Sequence, residues 1–169
     1  LDKLLAYDEI FFVKFHIFTA KKFDFAEYKR IRPFPEGYET YSVLNMADVL
    51  VTDYSSVFYD FANSHKKIVL FTYDRDEYLD ERGLYVPLDS FPFPQAGTVD
   101  ELLAAIRSPK EYDDAAFCEK YCHYDNPQAA NRILRHVLRS EGCCKEEAPR
   151  PNGKPNVLVY CSNLGRNGM

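Results

Sequence analysis

One stretch constrains the fold more than any other. Asp48-Val49-Leu50-Val51-Thr52 runs into Asp53-Tyr54-Ser55-Ser56, then into Val57-Phe58-Tyr59-Asp60-Phe61-Ala62-Asn63-Ser64, and then reaches Ile68-Val69-Leu70-Phe71. The first and last runs are apolar on both faces and rich in β-branched residues. Such strands sit inside parallel sheets, covered on both sides. The middle run places apolar residues at 57, 58, 61 and 62, which fits a helix with one buried face. Lys66-Lys67 closes that helix, where a cation suits the negative end of the helix dipole. Residues 48–71 therefore predict a βαβ unit and an α/β fold.

The flanks extend this pattern. Glu9 to His16 reads as a short buried strand, with Lys14 and His16 on one face because strand side chains alternate. Residues 17–39 read as irregular, broken by Pro33, Pro35 and Gly37, and 40–46 as a short helix. Residues 73–97 read mostly as loop, rich in acids and proline. Thr98 and Glu101 form a capping box opening a helix from Val99 to Ile106. Residues 111–124 read as helical. Gln128 to Leu138 is amphipathic, with Ala130, Ile133, Leu134, Val137 and Leu138 on one side and Arg132, Arg135 and Arg139 on the other.

From Glu141 to Asn156 the chain has a linker composition. Val157 to Ser162 then reads as a strand running into a Gly-containing loop, the opening of another α/β segment. The expected organisation is an α/β domain over 1–140, a linker over 141–156 and a following segment over 157–169. The chain opens on Leu1 and is expected to be a piece of a longer protein.

Composition excludes several classes. The 169 residues suit one domain. With 46% hydrophobic and 28% charged residues, wholesale disorder is excluded. No apolar run is long enough for a membrane-spanning helix, and no basic-then-apolar leader opens the sequence. A net charge of -5 argues against a general nucleic-acid binder. Five cysteines, an odd number, read as reduced thiols. Cys118, Cys122 and His123 fall on one expected helix but lack Cys-x2-Cys spacing, so buried thiols fit better than a metal site.

The residues that carry chemistry cluster at two points. Thr52-Asp53-Tyr54-Ser55-Ser56 lies between a strand and a helix, and ligands of open α/β sheets bind beyond the carboxyl ends of strands. Two serine hydroxyls beside free backbone N–H groups make a phosphate cradle, although a serine there also serves simply as a helix cap. Lys14 and His16 are the second point: a cation and an imidazole able to hold a phosphate or protonate a leaving group. Residues 11–35 carry six Lys/Arg against two acids, and 73–90 carry six acids against two Arg. A basic segment beside a phosphate cradle fits a small anionic ligand.

Ala47 to Phe61 closely resembles the signature of the CDP-glycerol glycerophosphotransferases, the teichoic-acid primases and polymerases of Gram-positive bacteria. Lys67 to Asp74 resembles the family's following strand. Glu77-Tyr78, then Glu81-Arg82-Gly83-Leu84-Tyr85, resembles its Arg-Gly-aromatic loop, and Lys14-Phe15-His16 its basic-x-His motif. The resemblance spans roughly residues 8–140. It implies a Rossmann-like parallel sheet flanked by helices, the C-terminal, donor-binding half of a GT-B architecture, here truncated at its N-terminal side.

The resemblance also implies a CDP-glycerol or CDP-ribitol donor and a membrane-bound polymer acceptor held by a missing N-terminal domain. Polyol phosphate is transferred and CMP released, in teichoic-acid or related cell-surface polymer synthesis. Ser55 and Ser56 would grip the donor phosphates, with Lys14, Asp53 and Tyr54 alongside, and His16 would be the catalytic residue. The implied location is cytoplasmic, peripheral on the inner face of the membrane. No cofactor, metal or nucleic-acid partner is expected. Ile17 departs from the family, which often has Pro there, and this piece alone is expected to bind rather than turn over. Val157 to Met169 resembles the start of a nucleotide-sugar glycosyltransferase domain.

Other readings stay open. One is a GT-B glycosyltransferase that uses a nucleotide-sugar and breaks the bond at the sugar carbon. Another is a non-catalytic nucleotide-binding module. A phospho-acceptor receiver with Asp53 as the modified carboxylate needs an earlier acidic pair and a late lysine, which the sequence does not supply.

Overall fold

A computed structural model describes residues 1–15, 23–139 and 141. His16, Ser140, the linker beyond Glu141 and the segment from Val157 lie outside the described residues. The chain divides into two compact units, Leu1–Asp125 and Asn126–Met169.

The first unit is built on parallel strands. Val49–Thr52 (β3) pairs with Lys67–Phe71 (β4), which pairs in turn with Gln95–Ala96 (β5). Registers run Val49 to Lys67 and Thr52 to Leu70 on one side of β4, and Leu70 to Gln95 on the other. β4 is thus the central strand, and Ile68, Val69 and Leu70 are all 0% exposed. Alternation sends Ile68 and Leu70 to one face and Val69 to the other.

The helix Val57–Ala62 (α2) covers the first face with Phe58, Phe61 and Ala62. It is joined by Leu88, Phe91 and Phe93, and by Phe117 of the helix Ala115–Tyr121 (α5). Leu102 of the helix Val99–Arg107 (α4) covers Val69 on the other face. An open parallel sheet with helices on both faces is Rossmann-like, as expected. Burying each of these large apolar side chains is worth about 1.5–3 kcal/mol.

A second, smaller sheet pairs Phe11–Val13 (β1) with Ile31–Pro33 (β2), also in parallel. Both strands depart from the sequence expectation. β1 has one partner among the described residues and leaves Phe12 53% exposed, so it is not a buried strand. β2 forms inside a stretch read as irregular. Phe34 donates its backbone N–H to Val13 at 2.9 Å. N–H groups alternate along a strand, so the N–H that Pro33 lacks would face away from β1, where nothing in the ladder needs it.

The helix Thr40–Met46 (α1) is capped by Glu39, whose Oε2 accepts from Tyr41 N at 2.8 Å and Ser42 N at 3.3 Å. The capping box of α4 is formed as expected, with Glu101 Oε2 accepting from Thr98 N at 3.1 Å and Thr98 Oγ1 from Glu101 N at 3.3 Å.

Two further expectations are corrected. The helix Arg75–Glu81 (α3) and strand β5 occupy a region read mostly as loop. α3 buries none of its residues, so its sequence carries no helical apolar stripe. Lys66 and Lys67 do not close α2, which ends at Ala62 with His65 in the left-handed region at φ 55, the conformation that glycine usually supplies after a helix. Lys66 Nζ instead donates to Asn45 O (2.7 Å) and Ala47 O (2.8 Å), at the end of α1. Lys67, only 8% exposed, points its ammonium at Ile106 O (3.1 Å) and at Ser108, at the end of α4. Each cation still meets the negative end of a helix, but of a helix brought close by folding.

In the second unit, Ala129–Arg139 (α6) is the amphipathic helix expected from the sequence, and Ile133, Leu134, Val137 and Leu138 are exposed. Among the described residues, no helix is long and apolar enough to cross a membrane.

Candidate functional site

The carboxyl ends of β3, β4 and β5 carry the loops Asp53–Ser56, Thr72–Asp74 and Gly97–Thr98. Ser55 and Ser56 are exposed, two residues and one residue before α2 begins at Val57. Neither hydroxyl makes a strong capping bond. Ser56 occupies the cap position without a side-chain cap bond, and Ser55 Oγ lies 3.5 Å from Val57 N, too far for a strong one. Asp53 and Tyr54, grouped with them in the sequence reading, do different work. Asp53 Oδ1 accepts from Ser55 N at 3.1 Å and so shapes the loop. Tyr54 donates its hydroxyl to Asp74 Oδ1 at 3.0 Å, and its ring stacks on Tyr78 of α3 at 3.7 Å and 15°. Burial, then the hydrogen bond and charge of Asp74, push the Tyr54 hydroxyl well above the ordinary tyrosine range. It therefore stays protonated and keeps donating.

Lys14 lies just past the end of β1. Its ammonium donates to the Thr40 hydroxyl and sits 4.8 Å from the Phe34 ring centroid. His16, its expected partner, lies outside the described residues.

Sequence reasoning missed the residues around α3. Arg75 grips Asp89 with two bonds, NH1 to Oδ1 at 3.0 Å and NH2 to Oδ2 at 2.7 Å, and Gln95 Nε2 donates to Asp89 Oδ1 at 3.0 Å. The Arg82 guanidinium lies 5.8 Å from the Tyr78 centroid. Tyr73 is 68% exposed and Tyr85 fully so. The available signal was the Arg-Gly-aromatic loop, which marked the region without its contacts. Two shallow concavities of about 150 and 300 Å³ lie elsewhere, one lined by Tyr41, Asp60 and Asn63 and the other by Phe91, Phe117 and Tyr121.

Cys122 is a buried free thiol, as expected, and Cys118 a half-buried one. Cys118 gathers with His65 and Asp114, with ligand atoms within 4.8 Å of one another, rather than with His123. The Lys110 ammonium already sits 2.7 Å from Asp114 Oδ2 and 3.0 Å from His65 O. It supplies the positive charge a metal would bring, so the group reads as an ion-paired staple. Burial raises the Asp114 carboxyl, but the Lys110 and His65 hydrogen bonds outweigh it and the net shift is downward. Burial pushes the Cys122 thiol up to about 11 and raises Cys118 as well, which leaves both unreactive at neutral pH.

Fold and rim define a Rossmann-like α/β domain with its polar loops at the carboxyl edge of the sheet, where such domains take ligands. Residues 1–139 match the family described as CDP-Glycerol:Poly(glycerophosphate) glycerophosphotransferase, and the chain belongs to that family.

The relatives are consistent with this. A teichoic acid poly(glycerol phosphate) polymerase of Bacillus subtilis (strain 168) is 29% identical over 83% of this chain and 20% of its own length. A teichoic acid glycerol-phosphate transferase of Staphylococcus aureus (strain NCTC 8325 / PS 47) is 30% identical over 82% of this chain and 38% of its own length. A teichoic acid poly(ribitol-phosphate) polymerase of Bacillus spizizenii is 31% identical over 69% of this chain and 18% of its own. The chain thus spans only about a fifth to two fifths of the curated relatives it matches. The family is one of polyol-phosphate transferases involved in teichoic acid synthesis.

Proposed function

We propose that this chain is the donor-binding domain of a polyol-phosphate transferase that uses CDP-glycerol or CDP-ribitol and releases CMP. In this reading residues 1–140 form the C-terminal half of a GT-B enzyme, 141–156 a linker and 157–169 the start of a further α/β segment. The other half holds a polymer acceptor at the inner face of the membrane. Ser55 and Ser56 donate to the donor pyrophosphate, and Lys14 and His16 act at the same pyrophosphate, with His16 as the catalytic residue. An acceptor hydroxyl attacks the β-phosphorus, and catalysis is mostly positioning and charge neutralisation.

One observation carries this reading: two exposed serine hydroxyls at the carboxyl end of β3, engaged by no more than a 3.5 Å bond from Val57 N to Ser55 Oγ, inside the span that matches the family. Isothermal titration with CDP-glycerol, CDP-ribitol and UDP-glucose tests it. Binding of a CDP-polyol in preference to UDP-glucose is expected, and preference for UDP-glucose would defeat it. Ser56→Ala should weaken CDP-polyol binding by about 1–2 kcal/mol, the loss of one charge-assisted hydrogen bond. In the complete enzyme, His16→Ala should cut turnover roughly 100-fold or more, and full activity in that variant would remove His16 from the mechanism.

A further inference from the structure

We infer that Tyr54 is a positioning residue rather than a phosphate ligand. With Asp74 and Tyr78 it clamps the Asp53–Ser56 loop to α3, so that Ser55 and Ser56 are presented in a fixed geometry. The inference rests on the reading of that loop as the donor-phosphate loop.

The observations divide the loop cleanly. Its outward residues, Ser55 and Ser56, are exposed and make no strong side-chain bond to their own backbone. Tyr54, next to them, is half-buried and packs against the apolar cluster of the central sheet. Its ring stacks nearly parallel on Tyr78 at 3.7 Å, and its hydroxyl reaches Asp74 Oδ1 at 3.0 Å. Asp74 stands at the N-cap of α3 but makes no side-chain cap bond there, so its carboxylate is spent on Tyr54 instead of its own helix.

α3 buries no residue, so apolar packing does not fix its place. Among the described residues, two side-chain links tie its first turns to the sheet: the Tyr54 contacts, and the Arg75 grip on Asp89 and Gln95. Arg75 secures α3 to the β5 side, and Tyr54 secures the serine loop to α3. Within the loop the Asp53 bond to Ser55 N is local, spanning two residues, and cannot set the loop's position relative to β4. Tyr54, reaching 20 residues along the chain to Asp74, can. A ligand loop held in its bound form before the ligand arrives loses less freedom on binding.

The test pairs donor titration with amide order of Ser55 and Ser56, measured by ¹⁵N relaxation on this chain with CDP-glycerol as the probe. Tyr54→Phe keeps the stack and removes the hydroxyl. It should lower the order parameters of both serine amides and weaken CDP-glycerol about five- to tenfold, roughly the worth of one hydrogen bond. Asp74→Ala should do the same, and Asp74→Asn, which retains an oxygen acceptor for the hydroxyl, should recover most of the loss. A role confined to stability would lower the melting temperature of all three alike without this pattern. Unchanged amide order and affinity in Tyr54→Phe and Asp74→Ala would overturn the clamp. Ser56→Ala separates the two ideas. Affinity lost there but kept in Tyr54→Phe defeats the clamp alone. Affinity kept in Ser56→Ala defeats the donor-loop reading and, with it, the clamp's role in binding.

Discussion

The two parallel sheets of the first unit are held by different forces. Around β4 the cohesion is apolar: Ile68, Val69 and Leu70 are shut away from water between helices on both faces. Around β1 and β2 the core is small, with Leu5, Ile31 and Leu103 buried, and charged side chains do much of the fastening. Asp2 Oδ1 accepts from Arg30 N at 2.7 Å and from Ile31 N at 3.2 Å. Glu9 Oε2 accepts from Ala6 N at 2.7 Å, and its carboxylate takes two bonds from Arg107 of α4, at 3.0 and 2.8 Å. The comparison teaches that apolar runs of similar appearance become different structures according to their neighbours. A strand flanked on both edges and both faces is fixed by burial, which pH does not touch. A two-stranded corner needs polar staples, which pH does touch.

The largest effect expected from this contrast is at the centre. Leu70→Ala should cost about 2–5 kcal/mol in chemical denaturation, the usual range for a buried leucine truncation. Lys67→Ala comes next. It strips the cation from the carbonyls that end α4 and should cost about 1–3 kcal/mol, because those acceptors are left unpaired. Burial lowers the Lys67 ammonium from its usual range, so part of the loss is offset by ending that desolvation.

Acid should then act on the corner and leave the apolar contacts of β4 alone, while the paired Asp114, Asp89 and Glu101 carboxyls around the larger sheet, also held low, titrate with it. The Arg107 hydrogen bond, with that from Ala6 N, holds the Glu9 carboxyl at about 2 against its ordinary 4.5. The folded value lies below the unfolded one, so the contribution is whole above about pH 4.5 and disappears as pH falls through 2. Asp2 shifts the same way, chiefly through the Arg30 backbone hydrogen bond. Glu9→Gln should flatten the decline in stability over this window, measured by denaturation at stepped pH. An identical decline in Glu9→Gln and the parent would place the acid sensitivity elsewhere.

The smallest effect should come from Phe12→Ala. Half-exposed on β1, Phe12 should cost less than about 1 kcal/mol. A loss matching that of Leu70→Ala would erase the distinction between the two sheets.

Much of the centre was legible in the sequence because it depends on neighbours close in the chain. The β-branched run 49–52, the apolar positions of α2 and the capping box of Thr98 and Glu101 are all local patterns, and each forms where they indicate. The exposed pair Ser55-Ser56 before a helix start follows from the same turn. α3 was missed because a helix that buries nothing has no apolar period to read, and β2 because Pro33 signals a break unless a partner lies on the edge where its N–H is not needed. No local pattern could show that Lys66 and Lys67 would serve the ends of α1 and α4, that Cys118 would meet His65 and Asp114, or that Tyr54 would turn to Asp74 and Tyr78. By itself the sequence determined the βαβ unit, the serine turn and the family signature, since hydrophobic period, caps and motif are properties of adjacent residues. Only the tertiary structure decided which carbonyls each cation satisfies and which aromatic each loop leans on, because those pairings join residues 20 to 40 apart that meet only once the sheet has formed.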